Sequence, residues 1–403
     1  MVYLPCRSIF DHARPRPLFA FQPSDWIYLA AVILFALTLR LLFYTGYFGS
    51  DEVTYVEASA RIAAGDWQAS NYIGATRYGM NLPVALAIHV FGISEASVNL
   101  WPLAASVGEV ALVYAIGLWL WGSRPAVVSA ALLALLPLHV HFAGRIMADP
   151  PLAFFLTLSV AMMLRAADSR SALIYLATGL AWGGAFWVKE SVGVLFLPVL
   201  LLLTAYRSQI SGPWLWTLIG AGMAIALNTA LMHFVADNPL HIFAVMKNAT
   251  LRANGLNLDT SPWYYFRYLF LDIRHTFLLG PMALGAVIFY SLQVLRREQS
   301  NSSTQLVLIW ALLSAGMFSF AIVSASPMKF IMKQTNYMLI FAAPMALLSG
   351  WFLASLPMRI FAPLGTLVAA GSVCLAALEQ QAITVFTANS KSAYAYLRDT
   401  PSS

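Results

Sequence analysis

Charged residues are scarce in this sequence of 403 residues, of which aspartate, glutamate, lysine and arginine together make up only 10%. An average soluble domain is about a quarter charged. Hydrophobic residues account for 60% of the chain, and the mean hydropathy is +0.73. This composition excludes a soluble globular protein. It predicts an integral membrane protein without a soluble domain large enough to fold alone.

Cysteine is nearly absent, with Cys6 near the N-terminus and Cys374 inside a hydrophobic stretch. Two cysteines so far apart offer neither a disulfide framework nor the spacing of a metal site. The net charge is +6. Because the basic residues lie at the ends of hydrophobic runs, this charge indicates contact with membrane surfaces and not with nucleic acid.

Long hydrophobic runs dominate the rest of the sequence. They recur at lengths that can cross about 30 Å of hydrocarbon, which predicts an all-α polytopic bundle of about eleven transmembrane helices. The expected spans are residues 26–45, 96–120, 126–141, 150–167, 172–187, 191–206, 213–234, 276–295, 304–325, 334–355 and 360–380. Residues 79–92 are apolar but too short to cross without tilt, so we expect a re-entrant or interfacial segment there.

Arginines divide the connections between spans into two classes. By the positive-inside rule, the arginine-bearing short connections face the cytoplasm together with the tail of residues 1–25. These connections contain Arg124, Arg165, Arg170, Arg207, Arg296, Arg297 and Arg359. Residues 26–380 then form the transmembrane domain, with outer loops at about 46–95 and 235–275 and a short outer tail at 381–403. We expect a bacterial inner membrane, in which this outer side is the periplasm.

Four basic residues depart from that rule, because Arg145, Lys189, Lys329 and Lys333 fall in short connections on the outer side. One interpretation is ordinary contact with lipid headgroups. The other is a shared site for an anionic ligand. Their common side favours the shared site.

An acidic pair follows the first predicted span. Ser50 is a candidate N-cap, Asp51 and Glu52 would occupy the first turn of a helix, and Gly65 would end it. Val53, Val56, Ala60 and Ala63 recur at helical spacing, which predicts a face lying in the membrane interface. The acids would either carry chemistry at the outer surface or only complement the helix dipole.

A second acid, Asp149, precedes Pro150 and Pro151 and would sit at a helix start, so capping alone would explain it. His139 and His141 are two residues apart and therefore face different sides of a helix, which argues against a two-histidine metal site. Glu109 lies in mid-span, where an ionised side chain faces protein or water. The sequence does not assign a role to Glu109.

Several motifs occur in one order along the chain. They are Arg40, Gly49-Ser50-Asp51-Glu52-Val53-Thr54-Tyr55, Arg77-Tyr78-Gly79-Met80-Asn81-Leu82-Pro83, Phe91-Gly92-Ile93-Ser94-Glu95, Arg145-Ile146-Met147-Ala148-Asp149-Pro150, Lys189-Glu190, and Lys333-Gln334-Thr335-Asn336-Tyr337 leading to Pro344. With them the sequence resembles the polyprenyl-phosphate-dependent glycosyltransferases of the GT-C superfamily, in particular the protein O-mannosyltransferase and aminoarabinose-transferase-like branch. The resemblance is strongest over residues 30–200.

The resemblance implies transfer of a sugar from a polyprenyl-phosphate donor, dissolved in the membrane lipids, to a hydroxyl of a glycan, lipid or protein acceptor at the outer face. It places Asp51 as the general base, and Glu52 and Asp149 as residues that hold acceptor and sugar or help bind a divalent cation. The residues that it implies for substrate binding are Arg77, Arg145, Lys189, Glu190, Lys329, Lys333 and Tyr337. One base and direct displacement predict inversion at the anomeric carbon.

Two alternatives come from other functional classes. A non-catalytic protein with this fold would serve as a structural subunit of a larger membrane complex and keep the acidic helix without using it. A transporter is suggested by Glu109 and by the prolines within spans, although internal repeats typical of transporters are not evident in the sequence.

Overall fold

The computed structural model describes residues 18–49, 51–207, 214–255, 259–296, 302–325 and 328–399. Within these ranges the chain forms sixteen α-helices and one β-hairpin. The elements are α1 (Pro23–Leu42), α2 (Asp51–Ala63), α3 (Tyr78–Phe91), α4 (Glu95–Trp121), α5 (Ser123–Leu135), α6 (Pro137–Ala143), α7 (Asp149–Ser169), α8 (Ala172–Val188), α9 (Glu190–Arg207), α10 (Leu215–Ala236), α11 (His241–Gly255), α12 (Tyr264–Phe270), α13 (Leu279–Leu295), α14 (Ser302–Phe320), β1 (Ile322–Ala325), β2 (Met328–Phe330), α15 (Leu339–Ser355) and α16 (Met358–Asp399).

Eight helices in the described ranges are long and apolar enough to cross a membrane, and α5 with α6 gives a ninth crossing if the bent pair is one span. This pair bends by 62°. The bend lies at Pro137, which opens α6 and has no N–H to continue the hydrogen-bond ladder of α5. The predicted spans 172–187 and 276–295 correspond to α8 and α13, of 17 residues each. The predicted all-α polytopic membrane fold is confirmed.

One predicted boundary is wrong. The span 304–325 ends early, because α14 stops at Phe320 and residues 322–325 pair as a strand with Met328–Phe330. The β-branched Ile322 and Val323 favour extended backbone, a preference that hydropathy does not register. The tail predicted at 381–403 is helical as far as Asp399, as a continuation of α16. Ser50, Arg297 and residues 1–17 and 400–403 lie outside the described residues.

Helix α16 has 42 residues and is therefore about 63 Å long, roughly twice the thickness of the hydrocarbon core. Its second half contacts the connection between α1 and α2. The Gln380 side-chain amide donates to the carbonyl of Tyr44 at 3.3 Å, and Lys391 Nζ donates to the carbonyl of Thr45 at 2.7 Å. The Phe386 ring stacks on Phe48 with centroids 5.1 Å apart. The last helix thus supports the loop that leads into α2.

Glycine allows α8 and α10 to cross at backbone contact. A Cβ placed on Gly179 would lie 2.1 Å from the carbonyl oxygen of Thr217, and one on Gly220 would lie 2.3 Å from the carbonyl oxygen of Leu176. Close approach at small residues is a common basis of helix association in membranes, where no hydrophobic effect drives helices together. This crossing fixes the position of α8, which ends next to Lys189.

A polar network lies inside the bundle where α1, α4, α6 and α7 meet. Arg40 Nε donates to Ser106 Oγ at 2.8 Å, and its guanidinium lies 2.6 Å from Nδ1 of His139. The Glu109 carboxylate is 2.9 Å from Nε2 of His139 and accepts from Thr157 Oγ1 at 3.0 Å. Glu109 is thus satisfied by protein groups and has a structural partner at each oxygen. His141 faces Glu379 instead, so the two histidines point to different sides as predicted.

The face of helix α2 that is buried inside the protein is largely polar. Glu52, Tyr55 and Ser59 are buried, whereas Val53 is 60% exposed. On this buried face, Glu52 accepts a hydrogen bond from Arg145 and Tyr55 accepts one from Arg77. Gly65 adopts a positive φ of 81° just after the helix ends, which agrees with its predicted role.

Candidate active site

A cavity of about 1210 Å³ opens at one end of the bundle. Helix α7 begins there at Asp149 and carries Asp168 at its far end, where Arg207 of α9 pairs with it at 3.0 Å. The connections that follow α7 at Arg170 and α9 at Arg207 therefore belong to the opposite end of the bundle. The walls come from α2, the turn at Ile73–Thr76, the α6–α7 and α8–α9 connections, and the segment from β2 to Tyr337. Apolar side chains such as Val194, Leu195 and Phe330 share the lining with the charged ones.

Asp51 lies at the first turn of α2 and lines this cavity. Its Oδ1 accepts a hydrogen bond from Tyr72 Oη at 2.6 Å. Burial and the Asp51 carboxylate raise the pKa of Tyr72 to about 12, so the phenol remains a neutral donor at physiological pH. Asp51 is therefore an exposed carboxylate with a fixed orientation, which is what a general base requires.

Glu52 points away from the cavity and is fully buried. One oxygen accepts from the backbone N–H of Phe48 at 2.8 Å, and the other accepts from Arg145 Nε at 2.6 Å. The Arg145 guanidinium also lies over the Phe48 ring, 4.2 Å from its centroid. These contacts make Glu52 the residue that holds Arg145 at the cavity wall.

Asp149 is buried and binds two neighbours. Its Oδ1 accepts from Lys189 Nζ at 2.9 Å and its Oδ2 from Asn336 Nδ2 at 3.0 Å. The carboxylate therefore joins three segments distant in sequence and does not cap its own helix. Burial alone would lower the pKa of Lys189, but the Asp149 carboxylate raises it above its ordinary value. The Lys189 ammonium lies 4.2 Å from the centroid of the Tyr337 ring.

Arg77 and Glu190 form a third oppositely charged pair behind the cavity surface, with Nε and Oε2 3.9 Å apart. Arg77 also donates to the Tyr55 hydroxyl. Burial would lower the pKa of Arg77, yet Tyr55 and Glu190 raise it, so the guanidinium stays charged. Glu190 does not line the cavity, whereas Arg77 and Tyr55 do.

Lys333 differs from the other cations. It is 3% exposed and lines the cavity, yet its Nζ has no hydrogen-bond partner among the residues that the structure describes. The Phe330 ring lies 6.0 Å away. Burial lowers the pKa of Lys333 to about 8, an effect that Asp259 partly offsets. A buried ammonium without a partner is unfavourable unless an anion binds there.

Of the ten residues implied for the site, eight line the cavity: Asp51, Arg77, Arg145, Asp149, Lys189, Lys329, Lys333 and Tyr337. Glu52 and Glu190 lie behind it, each beside an arginine. Sequence reasoning missed Tyr55, Tyr72 and Asn336 as contacts of the charged groups. Only Tyr55 and Asn336 belong to the quoted motifs, and the sequence around Tyr72 has no signal for its contact with Asp51.

Glu52 and Asp149, the acids that the resemblance implies for a divalent cation, do not fit a metal site. Glu52 is bound to Arg145, and Asp149 is bound to Lys189 and Asn336. No three aspartate, glutamate, histidine or cysteine side chains converge in the described part of the chain. Carboxylates already paired with cations would have to give up those partners to bind a metal.

The comparisons with known proteins agree with this architecture. Residues 80–233 match the family model of dolichyl-phosphate-mannose-protein mannosyltransferases. The undecaprenyl phosphate-alpha-4-amino-4-deoxy-L-arabinose arabinosyl transferase of Pseudomonas aeruginosa is 30% identical over 163 residues, which cover 38% of this chain and 30% of that protein.

Solved structures share the fold at low identity. ArnT from Cupriavidus metallidurans in the apo state has a TM-score of 0.59 at 17% identity, over 86% of this chain and 63% of its own. The archaeal oligosaccharyltransferase AglB from Archaeoglobus fulgidus has a TM-score of 0.56 at 14% identity, over 89% of this chain and 56% of its own. The chain thus spans less than two thirds of the length of these proteins. The predicted resemblance is confirmed: this chain has the fold of the GT-C glycosyltransferases of membranes, and residues 80–233 match one of their families.

Proposed function

We propose that this protein transfers a sugar from a polyprenyl-phosphate donor to an acceptor hydroxyl, with inversion at the anomeric carbon. The observation that carries the proposal is the division of charge in the large cavity. Glu52, Asp149 and Glu190 are each set beside a cation, whereas Asp51 faces the cavity and, among the described residues, has Tyr72 as its side-chain partner. Lys333 faces the same cavity with no partner in the described residues. Among the described residues, the site thus offers Asp51 as an available base, and Lys333 with Lys329 as available cations.

These two groups suit direct displacement. Asp51 takes the proton of the acceptor hydroxyl as its oxygen attacks the anomeric carbon. The bond from that carbon to the donor phosphate breaks, and the phosphate leaves with the bonding electron pair. Lys333, with Lys329 on the neighbouring strand, stabilises the charge that develops on the leaving phosphate. Because a phosphate needs no protonation to leave, a second carboxylic acid is not required, in contrast to glycoside hydrolysis.

A lipid-linked donor is supported by the shape of the lining and by the relatives. The apolar Val194, Leu195 and Phe330 provide a path for a polyprenyl chain from the bilayer to the charged groups. The ArnT structure with a TM-score of 0.56 to this chain was solved bound to undecaprenyl phosphate. The arginine distribution supports an outer-side position of the cavity, which is the periplasm in our proposal.

The proposal is tested with the full chain reconstituted in nanodiscs, with a polyprenyl-phosphate sugar as donor. Asp51→Asn keeps the size of the side chain and one hydrogen-bond acceptor but removes the base. We expect turnover to fall by about 100-fold or more, with little change in binding of polyprenyl phosphate.

The control is Asp237→Asn. Asp237 is exposed and lines neither this cavity nor the smaller cavity between α2 and the loop at residues 66–72. Wild-type activity in Asp51→Asn would remove Asp51 as the base. If the unmodified chain neither transferred sugar nor bound polyprenyl phosphate, the enzyme proposal would fail and a structural role in a membrane complex would replace it.

A further inference from the structure

A second cavity of about 320 Å³ lies beside α2, between this helix and the loop at residues 66–72. Its volume is near the lower end of ligand pockets, about 300–1,000 Å³. Its lining includes Glu57, Arg61, Asp66, Trp67, Gln68 and Tyr72. None of these residues has a role in the proposed chemistry except Tyr72.

Aromatic and polar groups alternate around this cavity. Trp67 stacks on the buried Tyr78 with ring centroids 6.3 Å apart, and it keeps 37% of its surface exposed. Glu57 and Arg61 form an exposed ion pair at 2.8 Å. The Asp66 carboxylate accepts no hydrogen bond from the described residues. An open indole face beside carboxylate, amide and guanidinium groups matches the apolar C–H face and the hydroxyl rim of a pyranose.

Contacts from outside the loop hold its wall in place. Nε2 of His241, on α11, lies 2.9 Å from the carbonyl oxygen of Ser70. Tyr72 donates to Asp51 at 2.6 Å. The wall opposite α2 is therefore fixed at two points before any ligand binds, which lowers the entropic cost of binding.

The cavity lies near the proposed base. Thr54, Ala58 and Arg61 line it and lie on the same face of α2 as Asp51, because residues three or four apart share a helix face. Thr54 is one turn from Asp51, about 5 Å along the axis. Tyr72 lines both cavities and touches the Asp51 carboxylate. A ring bound against Trp67 would thus extend toward Asp51.

We infer that this cavity binds a sugar residue of the acceptor, so that the acceptor is a glycan or a glycolipid headgroup and Trp67 is a specificity residue. The assignment of the bound sugar to the acceptor rests on the proposed function. The binding of a pyranose rests on the cavity itself. The charged lining side chains, Glu57, Asp66 and Arg61, carry no net positive charge. A second phosphate would therefore be poorly stabilised here.

The test is direct binding, measured by saturation-transfer NMR on the full chain in nanodiscs. The probes are methyl glycosides of glucose, mannose, N-acetylglucosamine and glucosamine, each alone. At least one should receive saturation from the protein. In Trp67→Ala its signal should fall by about fivefold or more, as expected for loss of an aromatic contact, and Trp67→Phe should retain most of it. The control is Trp263→Ala, which removes an indole that is 66% exposed and lines neither cavity.

Three results would overturn the inference. They are no glycoside binding in the unmodified chain, equal binding in Trp67→Ala and unmodified protein, and Trp67-dependent binding of a serine-containing peptide in place of the glycosides. Glycoside binding at Trp67 without detectable transfer would contradict the proposed function and leave the sugar site standing. Sugar transfer that depends on Asp51, without glycoside binding, would contradict the sugar site and leave the proposed function standing.

Discussion

Replacement of Lys333 by methionine should weaken donor binding more than any other lysine replacement in the chain. The Lys333 ammonium is buried, lines the large cavity and has no hydrogen-bond partner among the described residues. Lys189, by contrast, is bound to Asp149 at 2.9 Å. A hydrogen bond to a charged group contributes about 1.5–3 kcal/mol. Lys333→Met should therefore raise the dissociation constant of polyprenyl phosphate by roughly 10- to 150-fold.

The same lysine predicts a pH dependence. Only the ammonium attracts phosphate, and burial lowers the pKa of Lys333 to about 8 in the unliganded protein. The protonated fraction then falls from about 90% at pH 7 to about 10% at pH 9. Since the apparent affinity scales with the competent fraction, binding should weaken by about tenfold over this interval. A phosphate monoester has its second pKa near 6, so the ligand itself does not titrate there.

The assay is binding of labelled undecaprenyl phosphate to the protein in nanodiscs at pH 7, 8 and 9. Lys333→Arg should bind with no decline between pH 7 and 9, because arginine stays protonated. Lys247→Met is the control, since Lys247 is exposed on α11 and lines neither cavity. Equal dissociation constants for Lys333→Met and unmodified protein would refute the assignment. A decline that persisted in Lys333→Arg would place the titrating group elsewhere.

Two further predictions concern stability. Asp149→Asn or Lys189→Met alone should lower the free energy of unfolding by about 3–5 kcal/mol, because each leaves a buried charge unpaired. The double variant should be more stable than the sum of the two single losses predicts. Strictly additive losses in thermal unfolding would contradict the pairing. Gly220→Ala should separate α8 from α10 and lower the unfolding temperature, since its Cβ would lie 2.3 Å from the carbonyl oxygen of Leu176. Gly222→Ala on the same helix meets no atom within 4 Å and is the matched control; equal unfolding temperatures for the two variants would show that this crossing does not need glycine.

Hydropathy was sufficient to predict the membrane class and the position of most helices. A helix that crosses the membrane makes its backbone hydrogen bonds within its own segment of about 20 apolar residues. The sequence pattern that predicts it is therefore local. The structure departs from the simple hydropathy pattern where local signals compete. Residues 322–325 are apolar but pair with Met328–Phe330, and the bend at Pro137 divides one apolar run into two helices. Helix α16 continues past the apolar run because Gln380 and Lys391 find partners on the α1–α2 connection.

The sequence by itself determined which charged residues are unusual, because lysines and acids beside membrane spans are costly and therefore few. It could not determine how they pair. Asp149 is 40 residues from Lys189 and 187 from Asn336, yet it binds both. Adjacent acids of identical local context also diverge, since Asp51 faces the large cavity while Glu52 faces Arg145. Successive residues of a helix point about 100° apart, and only the packing of α2 against the bundle decides which of the two meets a buried arginine and which meets the open cavity.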